Sequence, residues 1–265
     1  MKPILIRFAD GSYIHSGHFM LFVGGLAAII LVAIEMKRIG ERPEKMYGLL
    51  ILLMVSAVYG AHIFYWLDFR EEFNYGPLDL LTFWKGGMAL YGGGILAFVT
   101  YVLYTHWQKL DFWGTGDLLA PPSAIFVFFA RIGCVLSGCC YGRTCDPDFP
   151  LALTFKDGAA LAPYGEPLYP TQPLFAATAL AIFAILWARR KRKAFEGEIF
   201  LIGVLMYSLS SFLIEFLRAD LRVLYEIRGT IFSQNQIISI GIFLAATVLC
   251  IYRRGSFSES AGPAG

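Results

Sequence analysis

Seven long apolar runs follow one another along the chain, separated by shorter polar segments. Each run is roughly 20 residues long, the length that an α-helix needs to cross the hydrocarbon core of a bilayer. The pattern therefore predicts an all-α polytopic membrane protein with about seven transmembrane helices, at approximately 18–36, 46–67, 86–106, 117–138, 171–188, 199–217 and 232–252. Because these runs take up most of the chain, we expect a single transmembrane domain over residues 1–254.

The longest polar segment lies at about 142–170, between the fourth and fifth runs, and contains five prolines. Proline disfavours helix, whereas residues 151–155, Leu-Ala-Leu-Thr-Phe, have the composition of a short strand. We expect this loop to form a small extracytoplasmic cap. Residues 255–265 are mostly Ser, Gly, Ala and Pro, and they predict a disordered tail.

Composition supports the membrane assignment and narrows the partners. The chain is 57% hydrophobic and only 16% charged, and its mean hydropathy is +0.60. A net charge of +2 without a basic stripe argues against nucleic acid as a partner. The membrane itself is the expected surroundings.

Charges in the polar segments predict the orientation of the helices. Basic residues cluster at 37–45, 189–193 and 253–254, whereas acidic residues cluster at 68–79 and 146–166. Since basic loops remain in the cytoplasm, we expect the N-terminus outside, the C-terminus in the cytoplasm, and the end of the fourth helix at the outer face.

The most informative stretch is residues 131–145, where the fourth apolar run ends. Arg131 lies inside that run, and an arginine at membrane depth usually marks a functional site that faces the protein interior. Four of the five cysteines fall in this stretch: Cys134, Cys139, Cys140 and Cys145.

Thiols beside a cation can be held as thiolates, which attack electrophiles and bind metals. Three interpretations of the cysteines stay open. They could form a disulfide that joins Cys139 or Cys140 to Cys134 or Cys145, or act as a nucleophile or proton donor activated by Arg131. As metal ligands they lack the C-x2-C spacing of zinc fingers, and we expect no metal.

Polar residues of the sixth run share one helical face, because they are spaced by three or four residues: Tyr207, Ser211, Glu215 and Arg218. With Arg131 they predict an anion pocket in which guanidinium groups bind a phosphate. Alternatively, Glu215 only pairs with an arginine to hold helices together. His15 and His18 precede the first run, and could serve the same pocket as acid or base or be interfacial polar residues.

Several motifs resemble one family in order along the chain. The run 130–143, Ala-Arg-Ile-Gly-Cys-Val-Leu-Ser-Gly-Cys-Cys-Tyr-Gly-Arg, is similar to the signature of the prolipoprotein diacylglyceryl transferase family. Its glycine-rich, His-Pro-Ser-Gln, Tyr…Glu-Phe-x-Arg and Gln-x-x-Ser motifs resemble residues 86–93, 169–172, 207–218 and 236–239. The resemblance implies seven helices in the bacterial inner (cytoplasmic) membrane and transfer of diacylglycerol from phosphatidylglycerol to the lipobox cysteine of secreted lipoprotein precursors, with no cofactor.

The chain departs from the family motifs at chemically important positions. Tyr91 stands where the family has a histidine, Cys134 where it has an asparagine, and Cys139 where it has a glutamate; Ser211 replaces an arginine. The resemblance implies that Arg131 binds phosphate and that Tyr91 or Tyr207 orients the acceptor. We therefore predict two groups of site residues. The catalytic candidates are Arg131, Tyr91, Tyr207, Cys134, Cys139 and Cys140; the substrate-binding candidates are Gly142, Arg143, Gln172, Glu215, Arg218 and Gln236.

Three functions remain as hypotheses at this point. The first is a diacylglyceryl-transferase-like enzyme that acts at the outer leaflet on a thiol acceptor, either a prolipoprotein cysteine or another thiol. The second is a membrane thiol–disulfide or thiol-transfer protein that uses the cysteine cluster. The third is a non-catalytic lipid-binding subunit.

Overall fold

The computed structural model describes residues 3–7, 13–40, 44–69, 76, 80, 90–156, 161–219, 224–227 and 230–260. The described part of the chain forms seven helices: α1 Ser16–Ile39, α2 Glu44–Phe69, α3 Leu90–Trp107, α4 Phe112–Ser137, α5 Thr171–Arg189, α6 Glu198–Glu215 and α7 Gln234–Ser260. All of them except α3 are long and apolar enough to cross a membrane within the described residues. The prediction of an all-α polytopic membrane protein is confirmed.

Three short antiparallel hairpins connect or precede the helices. They are β1 Ile4–Arg7 with β2 Tyr13–His15, β3 Leu153–Thr154 with β4 Pro167–Leu168, and β5 Leu224–Ile227 with β6 Thr230–Ser233. The strand expected at residues 151–155 is therefore present as β3. The β1–β2 and β5–β6 hairpins were not predicted, because neighbouring apolar runs dominate the pattern there.

The chain divides into two compact units, Leu31–Thr115 and the remainder, Met1–Ile30 with Gly116–Gly265. In the first unit, α2 and α3 pack backbone to backbone, since a β-carbon at Gly60 or Gly92 would overlap the carbonyl of the other. Small residues permit such close helix contacts in membranes. The glycine-rich stretch thus serves packing at Gly92, and residues 86–89 lie outside the described residues.

The second unit contains the cap and most of the buried apolar side chains described below. Phe155 and Leu168 are buried in the cap and pack against Tyr141. Between α5 and α6, Leu186 and Ile199 form a second core. The cap core holds the described parts of this segment, 142–156 and 161–170, and Leu161 N–H donates to the Ser137 carbonyl at the end of α4.

At the start of α4 a buried carboxylate ties three segments of this unit together. Asp117 accepts hydrogen bonds from the backbone N–H groups of Gly197 (2.9 Å) and Phe200 (3.0 Å) and from Lys193 Nζ (3.1 Å). Arg189 Nε donates to Glu198 Oε1 at 2.8 Å. Each of these carboxylates is therefore paired.

The last helix continues further than the apolar run. α7 carries helix through residues 255–260, part of the segment predicted to be a tail. Once a helix exists, each added residue gains a hydrogen bond without a new nucleation step. Residues 261–265 lie outside the described residues.

Candidate functional site

The site is built around the C-terminal end of α4. Gly138 follows the helix with a left-handed φ of +71°, and Cys139 N–H donates to the Cys134 carbonyl at 3.2 Å. These are the features of a Schellman motif, which brings the residues at its two ends into side-chain contact. The glycine after Ser137 therefore turns the chain so that Cys139 returns to Cys134.

The next residue, Cys140, is also left-handed, with a φ of +57°. A non-glycine residue pays about 1 kcal/mol or more for this conformation, so neighbouring groups must hold it. Thr171 Oγ1 donates to the Cys140 carbonyl and Gln172 Nε2 donates to the Cys139 carbonyl, both at 2.9 Å. The start of α5 thus fixes the turn through its peptide oxygens.

As a result, three thiols face one another. The Sγ atoms of Cys134, Cys139 and Cys140 all lie within 4.8 Å of one another, and Cys145 is not in the group. The sequence spacing alone does not reveal this cluster, because it depends on the left-handed turn. The cysteine at 145 instead donates its backbone N–H to Pro167 in the cap.

Of the three interpretations of the cysteines, the disulfide is not found in this structure. All five cysteines lie among the described residues, and all are free thiols. The turn at Gly138 gathers Cys134, Cys139 and Cys140 as a triangle rather than as one bonded pair, and Cys139 Sγ is 4.0 Å from the Cys134 carbonyl oxygen.

Electrostatics distinguish the thiols beyond the end of α4. The pKa of the Cys140 thiol lies well below its usual range, because Cys134 and Cys139 can donate hydrogen bonds to its sulfur and the cations Arg218 and Arg131 favour its thiolate. The pKa of Cys139 is raised by the same hydrogen bonding to its neighbours. Cys140 is therefore the more acidic of these two thiols.

Arg131 is the buried cation of the site, with 6% of its surface exposed. Its guanidinium carbon lies 4.2 Å from the centre of the Phe175 ring, and Tyr207, Cys140 and Cys134 are its polar neighbours. Among the described residues no carboxylate forms an ion pair with it. A cation in this state favours a bound anion.

Glu215, proposed as a partner for Arg131, has other partners. Its carboxylate lies 3.5 Å from Arg218 and accepts hydrogen bonds from Ser233 Oγ (3.3 Å) and Asn235 Nδ2 (3.1 Å). The alternative that Glu215 pairs with an arginine therefore holds for Arg218. The hydrogen bonds from Ser233 and Asn235 to Glu215 join the end of α6 to the start of α7.

Gln236 belongs to a capping box at the start of α7. Its Oε1 accepts from Ser233 N–H at 2.9 Å, and its own N–H donates to Ser233 Oγ at 3.2 Å. The Ser-x-x-Gln spacing is a readable signal for this arrangement. The buried Nε2 of Gln236 has no hydrogen-bond partner among the described residues, so it is available to a ligand.

Gly142 and Arg143 join the site to the cap. A β-carbon at Gly142 would overlap Tyr169, and Arg143 N–H donates to the Leu217 carbonyl at 2.8 Å. The exposed guanidinium of Arg143 donates to the Phe216 carbonyl, at the end of α6. The backbone of this pair forms part of the wall that encloses the cysteine turn.

A histidine stands at the same end of α4. His15 Nδ1 lies 3.4 Å from Ser137 Oγ, and burial together with His18 lowers the pKa of His15. The lowered pKa favours the neutral imidazole of His15. Sequence reasoning did not predict its contact with Ser137, nor the roles of Thr171, Ser233 and Asn235.

Of the two predicted tyrosines, the structure describes the side chain of Tyr207 but not that of Tyr91. Tyr207 packs against the core between α5 and α6 and is a polar neighbour of the Arg131 guanidinium. Tyr91 lies in the first turn of α3, in the other compact unit, and its side chain is outside the described residues. Its predicted role stays a prediction.

Comparison with known proteins shows the family of the chain. The sequence matches the family described as prolipoprotein diacylglyceryl transferase over residues 3–252. It is 32% identical over 245 residues to phosphatidylglycerol–prolipoprotein diacylglyceryl transferase 2 of Clostridium perfringens, covering 90% of this chain and 91% of that protein. The enzyme of the same name from Clostridium tetani is 30% identical over 251 residues (92% and 96% covered), and that of Bacillus licheniformis is 27% identical over 250 residues (91% and 88% covered). The chain therefore belongs to the prolipoprotein diacylglyceryl transferase family.

Proposed function

We propose that this protein transfers a diacylglyceryl group from phosphatidylglycerol to the cysteine thiol of a lipoprotein precursor. The observation that carries the proposal is Arg131, a buried cation beside three thiols and without a carboxylate partner among the described residues. Relatives with at least 30% identity bear the name of this activity.

The chemistry explains why such a cation is needed. When the acceptor thiolate attacks the glyceryl carbon, the carbon–oxygen bond breaks and glycerol phosphate leaves with an additional negative charge. A guanidinium that donates two hydrogen bonds to the phosphate stabilises this charge more in the transition state than in the substrate. We assign this stabilisation of the leaving phosphate to Arg131, whose guanidinium lies over the ring of Phe175.

The other predicted residues complete the pocket. Arg218 is held by Glu215 at 3.5 Å, which orients a second guanidinium towards the end of α4. Tyr207 lies close enough to Arg131 to position the acceptor. Gln172 and Gln236 each have a buried amide atom that lacks a partner within the described ranges, and these atoms provide polar groups for the glycerol head group.

We further propose that the reaction takes place at the outer leaflet of the bacterial cytoplasmic membrane. The basic loops at 37–45 and 189–193 support an N-terminus outside and a C-terminus in the cytoplasm. The end of α4 then faces the side on which secreted precursors emerge.

The proposal is tested with the full chain in proteoliposomes and a peptide that carries a lipobox cysteine. We expect mass spectrometry to detect a peptide heavier by one diacylglyceryl group when phosphatidylglycerol is present, and free glycerol phosphate in equal amount. Phosphatidylethanolamine vesicles and a peptide with serine in place of the cysteine are the controls. Lipid binding without product would support a non-catalytic subunit, and peptide disulfide formation would support a thiol–disulfide protein.

A further inference from the structure

The proposed reaction leaves the three clustered thiols without a task. The thiol that becomes lipidated belongs to the acceptor, and Arg131 and Arg218 serve the phosphate. Yet Cys134, Cys139 and Cys140 are brought within 4.8 Å of one another by a turn that holds one of them in a left-handed conformation. A strained residue held in place by its neighbours is a sign of function.

We propose that these three thiols bind one Zn²⁺ ion, whose fourth position takes the thiolate of the acceptor peptide. The inference rests on the proposed function, because it assigns the means by which that reaction activates its acceptor. It goes beyond the activity named for the relatives, which mentions no metal.

The geometry fits such an ion. Zinc–sulfur bonds are about 2.3 Å long, which in a tetrahedron places the sulfur atoms about 3.8 Å apart. The sulfur atoms of the cluster are no more than 4.8 Å apart, so the distance to be closed is at most about 1 Å.

The number of ligands indicates an open site. Structural zinc ions have four protein ligands, whereas catalytic ones have three and keep a position for water or substrate. Among the described residues no imidazole, carboxylate or fourth cysteine joins the group. Cys145 is bound through its backbone to the cap and does not complete the tetrahedron.

The surroundings balance the charge and orient the ligands. Zinc with three thiolates carries one net negative charge, and the cations Arg131 and Arg218 act on Cys140 of the cluster. Hydrogen bonds from Thr171 and Gln172 fix the carbonyls of two ligand residues, as outer groups do at metal sites. Gln172 Oε1 is buried without a partner among the described residues.

In the proposed step, the acceptor thiolate displaces glycerol phosphate from the glyceryl carbon. A free thiol is mostly protonated at neutral pH, but a thiol that coordinates zinc loses its proton, which passes to solvent. The bound thiolate forms a carbon–sulfur bond to the glyceryl carbon as the carbon–oxygen bond breaks. The electron pair of that bond leaves on glycerol phosphate, and nothing is oxidised or reduced. The thioether product, a neutral and weaker ligand, then leaves the metal.

The first test measures zinc in the full chain purified with a reductant. We expect one zinc ion per chain by elemental analysis, and almost none in a Cys139→Ser, Cys140→Ser double variant. Cys145→Ser and Cys250→Ser, which change cysteines outside the cluster, should keep the ion. A metal-free wild type that takes up no added zinc, or a disulfide between cluster cysteines in the wild type, would overturn the proposal.

The second test needs no variant and asks whether the fourth position receives the acceptor. Co²⁺ replaces zinc in the wild type and gives visible absorption that depends on its ligands. We expect the lipobox peptide to change the spectrum with the stoichiometry of one thiolate, and the serine peptide to leave it unchanged. No change with the cysteine peptide would overturn the acceptor role.

The two proposals fail in different ways. If the zinc-free protein lipidates the peptide at the full rate, the metal inference is wrong and the proposed function stands. If the peptide binds the metal but no diacylglyceryl product forms from phosphatidylglycerol, the proposed function is wrong and the metal site stands.

Discussion

The two ends of α4 hold buried charges in opposite ways. Near its start, Asp117 accepts three hydrogen bonds from Gly197, Phe200 and Lys193. Near its end, roughly 21 Å away at 1.5 Å per residue, Arg131 is buried without a carboxylate among the described residues.

The polar neighbours of Asp117 have hydrogen-bond partners, whereas some of those near Arg131 lack one within the described residues. At the first end, Glu198 is paired with Arg189 at 2.8 Å. At the second, Gln172 and Gln236 each keep a buried amide atom without a hydrogen-bond partner in the described part of the chain, and Cys140 is left-handed. Since buried polar groups are normally satisfied, the first end is built for stability and the second is open for a ligand.

The largest expected effect is a loss of activity on mutation at the Arg131 end of α4 but not near the Asp117 end. Arg131→Ala should lower the rate of peptide lipidation by roughly 100-fold or more, because the leaving phosphate loses its main donor. The variant should still insert into the membrane. Initial rates in phosphatidylglycerol proteoliposomes measure this, with Arg192→Ala, an exposed arginine near the Asp117 end, as the matched control. Equal rates for both variants would remove the distinction between the ends.

The second expected effect is a loss of stability without a loss of activity, the opposite of that for Arg131→Ala. Asp117→Ala should destabilise the protein by about 3 kcal/mol, because it leaves two buried backbone N–H groups and a lysine without their acceptor. The lipidation rate per folded molecule should remain near that of the wild type. Thermal unfolding in detergent and the rate at a permissive temperature check both parts. A protein with normal unfolding but no activity would show that the Asp117 end takes part in chemistry.

A smaller effect probes how the site is held. Thr171→Val removes the hydroxyl that binds the Cys140 carbonyl, at a cost of about 1 kcal/mol, and should lower activity several-fold by relaxing the turn. Thr178→Val is the control, because that hydroxyl bonds only to the Phe175 carbonyl of its own helix. If both variants have the same rate, the hydroxyl does not position the thiols.

The smallest expected effect is the pH dependence of the stability that Lys193 contributes near Asp117. Burial favours the neutral amine of Lys193, but hydrogen bonds to Glu196 and Asp117 outweigh it, so the pKa of Lys193 is raised. Its stabilisation is therefore complete below the unfolded pKa of about 10.4 and is lost as pH rises through the folded pKa. Lys193→Met should lower the free energy of unfolding by less than about 1 kcal/mol, since the side chain is partly exposed.

Unfolding midpoints across alkaline pH test this sign. The difference between Lys193→Met and the wild type should be constant near neutrality and shrink above the unfolded pKa. Lys191→Met, an exposed neighbour, should show no such trend. A difference that grows with pH would mean that the amine is not held in its charged form.

Much of the fold was readable from the sequence because its strongest signal is local. The apolar runs predicted the helices, and the composition of residues 151–155 predicted β3. The site was readable where its residues are contiguous, since Arg131 and the cysteines share one stretch. The cluster itself depends on the left-handed turn at Gly138, so the spacing of the cysteines argued for neither a metal nor a triangle.

Contacts between segments that are distant in sequence could not be predicted from the pattern of apolar and polar residues. His15 meets Ser137, and Asn235 meets Glu215, only because helices pack. The disulfide interpretation was wrong, since proximity in sequence does not determine how three thiols are arranged. By contrast, the capping box of Ser233 and Gln236 follows from its spacing and could have been predicted.

The way in which α5 holds the cysteine turn bears on how the site can evolve. Thr171 and Gln172 bind the peptide oxygens of residues 140 and 139, which every amino acid possesses. Mutation can therefore exchange the side chains at 139 and 140 while the path of the backbone persists. New reactivity can arise in this family by changes within a single short segment, with the surrounding helices conserved as a common frame.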